Sequence, residues 1–139
     1  AWVGASCAAG TMGIGLVLVD RASGAHRELS LGLGPGTNNL AYLKAAQVAL
    51  AVLPWDRPVC ISTNSSTLLG WMQKRPDPQY GSHVEDRALM WEALEKIGTV
   101  DLRQVSQGAG DAFEDRACEL ARCGAEGREP VPAARSWKG

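Results

Sequence analysis

In the stretch VCISTNSSTLLGW, residues 59–71, an apolar run becomes a helical pattern across three polar residues. Val59 to Ser62 reads as a short buried strand, entered after Pro58. Thr63, Asn64 and Ser65 are residue types that turn chains and cap helices, and a helix is expected from Ser65 to about Gln73. The mouth of a strand, just before a helix, is where α/β proteins place functional groups. Asn64 is therefore the first candidate for a site.

Upstream, Trp2–Cys7 and Gly13–Asp20 read as strands, and the longer Gly13–Asp20 run has the continuous apolar pattern of a buried one. A turn over Arg21–Gly24 leads to a third, alternating strand, His26–Leu33, so the three form an antiparallel meander. Gly34-Pro35-Gly36 then breaks the chain. Thr37, Asn38 and Asn39 offer caps for a helix to about Leu53, with Leu43, Ala46, Leu50 and Leu53 as its buried stripe. Downstream, Val84, Ala88, Trp91 and Leu94 mark an amphipathic helix, Val100–Val105 a fifth strand, and Phe113, Ala117 and Leu120 a last helix ending near Gly124. The expected architecture is an α/β sandwich on a mixed sheet. Residues 1–124 form its one domain, and 125–139, without core periodicity, are expected to be a flexible tail.

The chain has 139 residues, 45% hydrophobic and 21% charged, which suits one soluble globular domain. A net charge of −1 supplies no global field toward nucleic acid. No apolar run approaches the roughly 20 residues that span a membrane. The four cysteines, 7, 60, 118 and 123, have neither zinc spacing nor a good disulfide geometry, and are expected as free thiols in a reducing, intracellular compartment. The start at Ala1, almost inside the first strand, is what a domain with a missing N-terminal neighbour would show.

Four stretches together resemble type 1 ribonuclease H, over roughly Trp2 to Cys123. GASCAAGTMGIGLVLVD resembles the family's first hairpin, GTNNLAYLKAAQVAL the opening of its first helix, and VCISTNSSTLLGWM its strand and helix around a catalytic aspartate. VSQGAGDAFEDRACELA resembles its last loop and helix. The resemblance implies a ribonuclease H-like fold with a five-stranded mixed sheet, a meander followed by parallel strands, flanked by helices. It also implies cleavage of the RNA strand of RNA–DNA hybrids with two magnesium ions held by four carboxylates. At the matching positions this chain has Gly4, Tyr42, Asn64 and Cys118, and Gly108 stands at the family's mobile histidine. Glu114 and Asp115, a turn before Cys118, are the carboxylates nearest the site in sequence.

Neither catalytic nor metal-ligating residues are therefore expected, nor a cofactor. The expected function is a catalytically inactive scaffold, or a protein/nucleic-acid interaction module of a larger assembly, as in the connection-type domains of reverse transcriptases. The alternative is binding of RNA–DNA hybrid or double-stranded RNA through Thr37, Asn38 and Asn39, or weak altered cleavage built on Asn64, Asp115 and Glu119. Helix capping is the plain competing role for the first three. A protein partner or a second copy remains open, with Trp55 and Trp137 as exposed anchors; no membrane partner is expected. Lys74 and Arg75 make too small a patch to hold a duplex. Trp91 reads as core packing.

Overall fold

The computed structural model describes the backbone of residues 2–8, 10–19, 26–53, 59–73, 83–97, 100–105 and 112–130, with side chains for all but 2–8. Strands β1 (Trp2–Ala8), β2 (Thr11–Val19) and β3 (His26–Pro35) form the antiparallel meander. Strands β4 (Val59–Thr63) and β5 (Val100–Gln104) extend it in parallel, in the order β3-β2-β1-β4-β5. The helices are α1 (Asn38–Val52), α2 (Ser66–Gln73), α3 (Val84–Ile97) and α4 (Ala112–Glu126). This is the mixed α/β architecture expected from the sequence. Of the expected tail 125–139, Ala125 and Glu126 instead belong to α4, where Ala125 is buried, while 131–139, including Trp137, and Asp20, Lys74, Arg75, Trp55 and Gly108, lie outside the described residues.

Strand β2 sorts the layers, because its side chains alternate between two faces. Met12, Ile14 and Leu16 point into the main core with Leu43, Ala46 and Leu50 of α1, Ile61 of β4 and Met90 of α3. Gly13, Gly15 and Val17 face the other way, where Val17 packs on Ala117 and Leu120 of α4. The glycines let α4 lie almost on the sheet. A Cβ on Gly13 would overlap the Ala121 carbonyl oxygen, and one on Gly15 the Ala117 carbonyl oxygen. On β3, a Cβ at Gly32 would sit 2.7 Å from the Gly124 carbonyl oxygen.

Gly124 thus lies inside α4 rather than ending it. The stop is Gly127, whose φ of 69° is the left-handed value that a helix C-terminus favours. Its N–H donates to the Gly124 carbonyl, and the Arg128 N–H to that of Cys123, which closes the helix. Similarly β3 runs through Gly34 to Pro35, past the expected break, and the Gly36 N–H is tied to the Gly10 carbonyl at 2.9 Å.

Helix α1 is rich in alanine, the best helix former. Its buried face, Ala41, Leu43, Ala45, Ala46, Ala49 and Leu50, is wider than the expected stripe. Leu53 ends it in an extended conformation, as a residue before proline prefers. Helix α3 differs from expectation: it buries Met90, Leu94 and Ile97, while Ala88 is exposed. Trp91 is only half-buried, and its Nε1 donates to the Trp71 carbonyl at 2.7 Å. The two helices α1 and α3 are pinned by Asp86, which accepts from Lys44 Nζ at 2.7 Å and Gln47 Nε2 at 3.0 Å. Burial alone would raise the Asp86 carboxyl, but these hydrogen bonds and the Lys44 charge hold it below its usual value.

Candidate functional site

The candidate site lies where β4, β1, α1 and α4 converge. The register pairs Val3 with Thr63, so Gly4 stands level with Asn64, and on its other side Gly4 pairs with Gly15. Asn64 follows the last residue of β4. Its turn is fixed by the Thr63 hydroxyl, which accepts the Ser65 N–H at 3.2 Å, and by Ser65 Oγ, which accepts the Leu68 N–H at 3.0 Å and caps α2.

Four side chains meet at this turn. Tyr42, from the second turn of α1, donates its hydroxyl to Asn64 Oδ1 at 2.5 Å. The Asn64 amide donates through Nδ2 to Cys118 Sγ at 3.7 Å, and its backbone N–H donates to Glu114 Oε1 at 3.2 Å. The Cys118 thiol donates to the same Glu114 oxygen at 3.8 Å. Glu114 is 1% exposed. Burial, followed by the neighbouring Glu114 carboxylate, pushes the Cys118 thiol up to about 11. At neutral pH the thiol is protonated and serves as a donor.

The sequence thus brings Gly4, Tyr42, Asn64 and Cys118 to one place. Of the two carboxylates a turn before Cys118, Glu114 points into the cluster and Asp115 is exposed. Glu119, the third residue suggested for an altered nuclease, instead accepts from Arg116 at 3.1 Å. The trio Asn64, Asp115 and Glu119 is therefore not assembled, and Asn64 alone belongs to the site.

Arg116 carries no sequence signal of its role. It is 7% exposed and makes a two-pronged ion pair with Glu28 of β3, at 2.8 and 2.9 Å, which straps α4 to the sheet edge. The hydrogen bond to Glu28 raises the guanidinium above its usual value, so Arg116 stays charged.

Thr37, Asn38 and Asn39 are exposed at the start of α1. Thr37 is the N-cap: its Oγ1 accepts the Leu40 N–H at 3.3 Å. Asn38 and Asn39 lie four and three residues before Tyr42, on the same side of the helix as the cluster.

As a metal site the cluster offers a phenol, an amide, a thiol and one carboxylate. Two hard cations about 4 Å apart call for several anionic oxygens. These four side chains do not fit that demand. Among the described residues no three His, Cys, Asp or Glu side chains gather to hold a metal. Cys60, Cys118 and Cys123 are free thiols, and among the described residues no helix is long and apolar enough to cross a membrane.

No family model matches the chain. A protein named Ribonuclease H from Maricaulis maris (strain MCS10) is 34% identical over 126 residues, covering 78% of this chain and 82% of that protein.

Proposed function

The chain belongs to the ribonuclease H family, and we propose that within it this domain is a catalytically inactive interaction module, its metal-binding centre replaced by a hydrogen-bonded one. The observation that supports this reading is the network Tyr42–Asn64–Cys118–Glu114. A metal centre needs anionic oxygens left open toward the ions and the attacking water. Here, apart from Glu114 Oε2, the donors and acceptors are turned on each other. The Tyr42 hydroxyl and the Asn64 amide satisfy one another, and the one carboxylate receives an N–H and a thiol. In this role the domain serves as a scaffold, or holds a partner within a larger nucleic-acid-processing assembly.

A second reading, binding of RNA–DNA hybrid or double-stranded RNA without cleavage, is favoured by the exposure of Asn38 and Asn39 beside the cluster. Neutral polar groups there suit contact with sugar hydroxyls in the shallow minor groove of an A-like duplex. The decisive experiment is cleavage of a labelled hybrid with magnesium or manganese. It is run beside a variant carrying Gly4→Asp, Tyr42→Glu, Asn64→Asp and Cys118→Asp. No cleavage by the unaltered protein is expected; cleavage by it would overturn the proposal. A gel shift lost on Asn38→Ala with Asn39→Ala would establish the second reading.

A further inference from the structure

Away from this site, α1 and α3 leave a groove of about 410 Å³, lined by Gln47, Leu50, Ala51, Leu89, Ala93 and Lys96. Its lip is apolar where surface helices are ordinarily polar. Leu89 is 54% exposed and Val52, beside Ala51, 47%. On α3 the residues Glu85, Leu89, Glu92 and Lys96 follow one another at four-, three- and four-residue steps, so they form one stripe along the groove. Glu85 and Glu92 are exposed on either side of Leu89, and neither has an ion-pair partner among the described residues. Asp86, the other acid of this turn, is already held by Lys44 and Gln47.

We propose that this groove docks a basic amphipathic helix of a partner protein. The inference rests on the interaction-module reading and gives the partner its chemistry. The shape suits a helix: from Glu85 to Lys96 the stripe is about 16 Å long, or three turns. A ridge of leucine-sized side chains would seat between Leu89, Ala93 and Ala51, as amphipathic helices seat in apolar grooves. Lysines or arginines along the flank of that ridge nearest Glu85 and Glu92 would meet these carboxylates, clear of Lys96 at the far end of the stripe. The same two carboxylates repel phosphates, so this face does not suit a duplex.

The full chain is titrated into a fluorescent synthetic helix of about four turns, with a leucine ridge and lysine flanks. The control is the same peptide with glutamate in place of lysine. Saturable binding of the lysine peptide is expected, about tenfold weaker with Leu89→Asp and likewise with Glu85→Lys plus Glu92→Lys, and no binding of the acidic peptide. All three positions are exposed, so the variants should keep the fold. The proposal is overturned if neither peptide binds, if both bind alike, or if Leu89→Asp leaves binding unchanged. It is also overturned if light scattering finds a dimer that Leu89→Asp dissolves, which would make the occupant a second copy. Hybrid cleavage reads the other site, so failure of one proposal is separable from failure of the other.

Discussion

Asn64 bonds in three directions: it accepts from Tyr42, donates through its amide to Cys118 and donates through its backbone to Glu114. An aspartate could keep only the first and third of these, and would set a second carboxylate against Glu114. Asn64→Asp should therefore cost about 1–3 kcal/mol at neutral pH, the range for a buried polar group left badly paired. The like charge raises the new carboxyl's pKa in the folded state. Its penalty is thus absent below about pH 4, where the unfolded chain also carries it protonated, and grows above that. Urea midpoints at acid and neutral pH measure this; equal losses at both would disprove the crowding argument. Cys118 offers a separate check. Its folded value of about 11 lies above the ordinary 9.0. The protonated thiol therefore contributes stability that is complete below pH 9.0 and lost as pH rises toward 11. Near pH 9 its alkylation, followed by peptide mass spectrometry, should be about 50-fold slower in the native than in the denatured chain. Asn64 is legible from its place at the mouth of a strand, and Tyr42 and Cys118 only from the resemblance. The choice of Glu114 over Asp115 is not, because neighbours on a helix differ by about 100° in direction and only packing decides which is buried.

Contact between β2 and α4 depends on the absence of side chains at Gly13 and Gly15. Gly15→Ala would drive a methyl into the Ala117 carbonyl and the Leu120 Cβ, atoms of a helix that can give way only as a whole. A loss of at least about 1–3 kcal/mol is expected, the usual result of overpacking. Gly70 in α2 is the control, since nothing lies within 4 Å of its added Cβ. Gly70→Ala should stabilise by up to about 1 kcal/mol through helix propensity. Similar denaturation midpoints for the two variants would show that α4 does not depend on this close approach. These elements also mark where sequence reading stops. The apolar run in β2 makes the strand plain, yet Gly124 reads as a helix stop when its function is contact with β3. A glycine's identity does not say whether its missing side chain serves a left-handed turn or a close neighbour. Arg116 is hidden for a related reason: charged residues are expected at the surface, and only the fold supplies Glu28 across from it.

For the whole molecule, the proposed replacement of charge by hydrogen bonds would change what holds β1, β4, α1 and α4 together. In a metal-dependent centre, crowded carboxylates repel one another until cations arrive, so the ion contributes directly to folding stability. A cation present at about 100 times its dissociation constant stabilises the native state by about 2.7 kcal/mol. In a domain of this size that raises the melting temperature by several degrees, at about 2–8 °C for each kcal/mol. Here Tyr42, Asn64, Cys118 and Glu114 Oε1 are joined by hydrogen bonds, and neutral groups face the single carboxylate. Saturating magnesium should shift the melting temperature by less than about 1 °C, no more than an equal ionic strength of sodium chloride, which controls for general screening. The same comparison on the variant carrying Gly4→Asp, Tyr42→Glu, Asn64→Asp and Cys118→Asp gives the opposite expectation. Without metal its crowded carboxylates lower the melting temperature, and magnesium recovers part of the loss. A clear magnesium-specific rise in the unaltered protein would mean that cations bind its native state, and the hydrogen-bonded centre would then be the wrong account of this domain.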